Sequence, residues 1–323
     1  MTIRCGSGQL LFGNNPPRWE KLGLIFRPDS AHWWMRSHAS PPVPVQLKNG
    51  LVRVFFASRD ERQRSHVGWF DIDLDDPRQS IASASEPVLY PGSAGLFDGD
   101  GVYPSSAAMT DRGDLRLYTI GWNVGTPAPL FYSAIGAAES ADEGATFVKV
   151  SAAPLMSRSE HDPCLVTAPV VLRDKDLWRM WYVSGKSWTA SEKGLQSHYD
   201  VKYAWSHDGI NWVRDGHTCL PAREPEETNI SRFWVIHESG VFHAFFGFHR
   251  GAGYRIGYAR SDDGKIWARD DARSGIACSE SDWDSEAISY PAVIRHGNRW
   301  FMFYNGNGFG RDGIGLAVSS PFL

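Results

Sequence analysis

The chain of 323 residues has no apolar run long enough to cross a bilayer as a helix, only four cysteines, and no surplus of one charge, with 33 Lys and Arg against 37 Asp and Glu. The first absence excludes a membrane-spanning helix. A net charge of -4 gives nucleic acid or an anionic membrane no basic surface to bind, so neither is expected as a partner. Cys5, Cys164, Cys219 and Cys278 show no C-x-x-C spacing and read as buried free thiols, not as zinc ligands or a disulfide framework. The opening MTIRCGSGQLLFGNN lacks the apolar core of a secretion signal, so the expectation is a reduced, cytoplasmic protein.

What the chain has is a repeat. Five strongly apolar segments, LVRVFFASRD, LRLYTIGWN, LWRMWYVSGK, VFHAFFGFHR and RWFMFYNGNG, begin at Leu51, Leu115, Leu177, Val241 and Arg299, a period of about 60 residues. Each is preceded by an x-Pro-x-Val type of strand and followed by a Gly, Tyr and Ala-rich one, starting at His66, Leu130, Tyr199, Tyr254 and Asp312. One period holds four short strands with their turns, the size of a propeller blade.

The reading is therefore all-β, a five-bladed β-propeller in a single domain, with blades at roughly 30–92, 93–157, 158–223, 224–279 and 280–323. NWVRDG and IWARDD read as fourth strands of their units. The fifth unit ends at Leu323 after its third strand, so the N-terminal segment at 18–28, with RWEKLGLIF, is expected to supply the missing strand and close the ring.

Ser-x-Asp turns join the third and fourth strands. SADEGATF fits the Asp-box pattern, and SHDGINW and SDDGKIW are shorter relatives. Asp142, Asp208 and Asp263 are explained by hairpin chemistry, with the carboxylate taking backbone N–H groups and Gly supplying positive φ.

Five such units, their S-x-D-G-x-x-W hairpins and acids placed before the first strands resemble the five-bladed glycosidase-like propellers of glycoside hydrolase families 43, 32, 68 and 130. The resemblance covers essentially the whole chain and implies a carbohydrate-active enzyme working with paired carboxyl groups at the channel mouth. It also implies that residues just before the first strands converge on the active funnel. Carried over position by position, Asp98 or Asp100 resembles the second-blade acid, Asp162 the third, and Glu227 or Glu286 the proton donor. The first blade departs from the pattern, since Arg36-Ser37-His38 stands where families 43 and 32 carry an Asp.

Three explanations stay open: a base from another blade, such as Asp100 or Asp162; phosphorolysis with phosphate held by Arg36, His38 and Arg59; or a non-catalytic propeller binding a glycan or protein partner. A basic first blade opposite an acidic fifth suits an anionic sugar. The ends of the second strands add Arg59, Trp122, Trp188, His249 and Asn305 as ligand candidates, while Arg232 and Tyr290 come from the segments before the first strands. The segment Ser184 to Asp200 reads as a long loop over the channel, bringing Trp188 and His198, whereas Trp178 and Trp181 read as core. No cofactor is expected, and His161-Asp162 alone is too few ligands for a metal.

Overall fold

The computed structural model describes residues 17–319 except 79, 192–193 and 252; Cys5, the segment read for a leader and the last four residues lie outside them. The chain is all-β. A leading strand, β1 (Glu20–Phe26), is followed by β2 (Ser37–Gln46), β3 (Val52–Arg59), β4 (Ser65–Ile72) and β5 (Ala82–Ser83). The next units are β6 (Gly101–Met109), β7 (Leu115–Val124), β8 (Phe131–Ser140) and β9 (Val148–Lys149), then β10 (Leu165–Asp174), β11 (Leu177–Ser191), β12 (Gly194–Ser206) and β13 (Thr218–Leu220). After them come β14 (Glu227–Glu238), β15 (Val241–Arg250), β16 (Gly253–Ser261) and β17 (Ala268–Arg269), and finally β18 (Ser289–His296), β19 (Arg299–Asn305) and β20 (Ile314–Ser319).

Each group is an antiparallel meander, and β1 pairs with β20 in the fourth place of the last one. The first strands meet one another in the order β2, β6, β10, β14, β18, and β18 meets β2 again. The second strands are apolar on both faces because both faces are covered. In β3, Val52, Val54 and Phe56 pack with Trp34, Phe301 and Phe303, while Phe55 points the other way into a cluster with Val102 and Leu117.

A repeated device joins neighbouring units. Near the start of three second strands an Arg reaches the Ser-x-Asp turn of the following unit: Arg53 donates to the Glu143 carbonyl at 3.4 Å, Arg116 to Asp208 at 2.8 Å and Arg179 to Asp263 at 2.9 Å. Two residues further on, the Tyr118 hydroxyl donates to the Gly209 carbonyl at 2.9 Å and the Trp181 indole to Gly264 at 2.7 Å. Inside the turns, Asp208 accepts the N–H groups of Ile210 and Asn211 at 2.8 Å, and Asp263 those of Lys265 and Ile266 at 2.8 Å. Burial works against the charge of Asp142, but donation from Thr146 and Ser140 outweighs it and holds that carboxyl at about 2. The turn aspartates are therefore spent on structure. Replacing Asp208 by Ala is expected to lower stability by about 1 to 2 kcal/mol, seen as a lower urea midpoint with an unchanged slope.

Two readings need correction. The fourth strands are stubs of two or three residues in the first four units, because the turns that precede them already tie down the outer edge. The segment from Ser184 to Asp200 is not a loop, since β11 and β12 stay paired from Trp178 with Ser206 out to Ser191 with Gly194. It is a hairpin projecting beyond the sheet. Trp178 and Trp181 are buried, as read.

The first strands carry the feature that shapes the site. Each breaks its ladder at the same level: pairing skips 41–42 in β2, 105 in β6, 168–169 in β10, 232–233 in β14 and 290–291 in β18. Such a bulge bends the strand and re-aims a side chain. Ala168, Arg232 and Tyr290 adopt left-handed φ of 48°, 36° and 53°, which non-glycine residues accept only where the surroundings impose it.

Candidate functional site

The five bulges converge. Pro41, Ser105, Ala168, Arg232 and Tyr290, one from each meander, all line a single cavity of about 460 Å³. Its walls come from the ends of the neighbouring strands, with Arg59 of β3, Trp122 of β7, Phe131 of β8, and Tyr199 and Tyr254 at the inner parts of β12 and β16. Aromatic and aliphatic side chains share the lining with serine, threonine and tyrosine hydroxyls, and no carboxylate or histidine belongs to it among the described residues.

Trp122 is fixed by donation from its indole to Ser65 Oγ at 2.8 Å. Gly101 makes this approach feasible, because a Cβ there would lie 2.0 Å from Ser65 Oγ and 2.3 Å from the Trp122 indole nitrogen. Burial pushes the Tyr199, Tyr254 and Tyr290 hydroxyls up, so they stand as neutral hydrogen-bonding groups. Arg59 has no ion pair among the described residues.

Four of the residues read from the sequence as site candidates meet here: Arg59, Trp122, Arg232 and Tyr290. The acids do not. Asp98 pairs with Lys149 at 2.5 Å; Asp162 takes Arg214 at 2.8 Å and the Tyr182 hydroxyl at 3.2 Å. Glu227 is gripped by both Nη atoms of Arg269 at 2.8 Å and by Arg250 at 2.7 Å. Asp284 completes the series with Lys21 at 2.7 Å.

In each case an acid before or at the start of the first strand is tied to a cation on or beside the outer edge of its own meander. Burial alone would raise Glu227, yet Arg269 more than offsets it and holds the carboxyl below the ordinary value. A carboxylate held ionised and saturated cannot deliver a proton, which argues against Glu227 as the acid. The first meander departs from this tie: no acid lies in 35–38, and Arg78, as far before β5 as Arg214 is before β13, pairs with Asp76 at 2.7 Å.

The other candidates sit outside the lining. Asp100 accepts the Val124 N–H at 2.8 Å next to the cavity wall, and Glu286 is exposed. Arg36 pairs with Glu61 at 2.9 Å on the surface. His38 is pushed down to about 4 by burial and then by Arg59 and Arg311, so it is no cation at neutral pH. Trp188 packs edge-on against Phe131 at 5.6 Å, one layer behind the wall. His198 contacts Thr189 and Glu224, His249 packs on Tyr254, and Asn305 is buried, donating to the Ala39 and Gly313 carbonyls at 2.8 Å.

Tyr103, Tyr199, Tyr254, Phe131 and Phe309 were not read as ligand residues. Tyr199 and Tyr254, each opening the third segment of its repeat in the sequence, stand at equivalent repeat positions, and that shared phase was the available signal.

No protein-family model matches the chain. Among solved structures, one described as a glycoside hydrolase superposes with a TM-score of 0.74 at 16% identity, covering 95% of this chain and 93% of that one. A glycosyl hydrolase from Bacteroides ovatus gives 0.71 at 14%, covering 95% and 94%. A structure from the GH130 family of mannoside phosphorylases, which contains glycoside hydrolases that target β-1,2-mannosidic linkages, gives 0.68 at 14%, covering 97% and 96%. These likenesses are of fold. In sequence, "Uncharacterized protein Rv1502" of Mycobacterium tuberculosis strain ATCC 25618 / H37Rv and "Uncharacterized protein MT1551" of strain CDC 1551 / Oshkosh are each 37% identical over 301 residues, 93% of this chain and 98% of theirs. With that identity over nearly the full length of both partners, the chain belongs to one family with these two mycobacterial proteins.

Proposed function

We propose that the five meanders are blades of one propeller closed by β1, and that its central cavity binds a carbohydrate without cleaving it by a pair of carboxyl groups. One observation carries this reading: the cavity offers aromatic faces and hydroxyls of the kind that grip a sugar, while Asp98, Asp162 and Glu227 are locked in ion pairs away from its lining. The fold it shares with glycoside hydrolases supports the ligand class. Two arginines in the lining, neither in an ion pair among the described residues, favour a sugar that carries negative charge.

The test is calorimetric titration with mono- and disaccharides beside a turnover screen on aryl glycosides and oligosaccharides, with and without phosphate. Saturable binding without turnover is expected, and Trp122→Ala is expected to weaken it about tenfold by removing a stacking face. A second reading rests on Asp100, which adjoins the wall, and Glu286, which no cation holds among the described residues. Turnover that disappears in Asp100→Asn or Glu286→Gln would establish that reading and end the first.

A further inference from the structure

We propose that Arg232 is the anion-binding residue of the cavity and that it takes the carboxylate of an acidic sugar. This rests on the carbohydrate reading above and names the ligand's chemical class.

Arg232 is 1% exposed and belongs to the cavity lining. Its Nε donates to the Pro291 carbonyl at 3.2 Å and its Nη2 to the Pro42 carbonyl, both acceptors lying in the bulges of other strands. Nη1 is buried and has no partner. Every other buried Asp, Glu, Lys or Arg among the described residues faces an opposite charge within 4 Å. Arg232 faces none, and burial pushes it down to about 9. A guanidinium buried without a counter-charge is costly, and two carbonyl dipoles with the Trp234 ring face at 4.9 Å do not neutralise it.

The surroundings point to an incoming oxyanion. Ser105 Oγ is buried, lacks a partner and lines the same cavity, and Ser231 Oγ lines it beside the Tyr254 hydroxyl. Arg59 adds positive charge on the wall. The rest of the lining is largely apolar, with Trp122, Phe131 and Phe309 offering faces for a pyranose ring and none of the extra cations that a free phosphate would call for. A sugar bearing a carboxylate satisfies both halves of the cavity at once.

Glucuronate and galacturonate are titrated into the protein beside glucose, galactose and the uncharged methyl ester of galacturonate. The acids are expected to bind at least about tenfold more tightly than their neutral counterparts. In Arg232→Met the preference for acids over their neutral counterparts is expected to shrink below about twofold. Because this variant removes an internal strut, Ser105→Ala is titrated as well and is expected to narrow the preference for acids over neutral sugars several-fold. Equal binding of acids and neutral sugars leaves the carbohydrate reading standing and overturns the role of Arg232. Inorganic phosphate binding at the site in place of uronate also overturns it, as does an acid preference that survives in both variants. If no sugar of either class binds, the carbohydrate reading falls and this inference with it.

Discussion

Glu227→Gln is expected to cost about 3 to 5 kcal/mol of stability, the penalty for breaking a buried ion pair and stranding its partners. Glu227 is fully buried, and its two oxygens carry four contacts: two from Arg269, one from Arg250 and one from the Arg223 N–H. Gln can accept at one oxygen only. Arg269 keeps Asp271 at 2.8 Å, so the loss should be partly recovered in the double variant Glu227→Gln with Arg269→Met, where the stranded charge is also gone.

The linkage sign follows from the depressed folded pKa. Its stabilising contribution is complete above the ordinary value of 4.5 and is lost as pH falls through the lower folded value. The wild type should therefore lose stability in that acid range, and the variant should lose less. Denaturant midpoints between neutral pH and pH 3 measure both effects. A Glu227→Gln protein as stable as the wild type, yet altered in ligand turnover, would show that the carboxyl is a proton donor after all.

The second large effect concerns the seam between β1 and β20. Gly313 has φ +130°, and a Cβ there would lie 1.9 Å from the Phe26 carbonyl oxygen, at the point where Phe26 pairs with Ile314. Neither atom can yield, since both belong to the backbone of the seam. Gly313→Ala is expected to cost about 3 kcal/mol or more, combining backbone strain with a clash in a packed layer. Gly50→Ala is the control: it shares a positive φ of +90° but has nothing within 4 Å, so about 1 kcal/mol of strain is all it should lose. Comparable melting temperatures for the two variants would mean that the N-terminal strand contributes little to holding the last meander.

Much of the scaffold could be read from the residues. The apolar segments starting at Leu115, Leu177, Val241 and Arg299 begin the observed strands β7, β11, β15 and β19 at the same residues, because burial on both faces leaves an unbroken apolar run. The pairing of RWEKLGLIF with the last unit followed from the unit's missing strand. The cation partners of the acids were not legible in the same way. Lys149 and Arg269 lie 51 and 42 residues after Asp98 and Glu227, and only the meander register brings each pair together. Charge counted along the sequence cannot tell an acid poised for chemistry from one already neutralised.

The bulges were hidden for a different reason. Pro41, Ala168 and Tyr290 sit in x-Pro contexts that announce strands, and nothing local distinguishes Arg232-Phe233 as the equivalent pair. Arg232 was singled out as a candidate from its segment. Its solitude as a buried charge emerges only in three dimensions.

The ring of bulges separates two kinds of information in this protein. Residues on the ladder must satisfy neighbours on both faces, so changes there are constrained from all sides. The five off-ladder residues line the cavity, and they range over Pro, Ser, Ala, Arg and Tyr while the strands around them keep one register. On the proposed reading, ligand choice is written in five off-ladder residues of the lining, which can vary while the grammar of the sheets stays untouched.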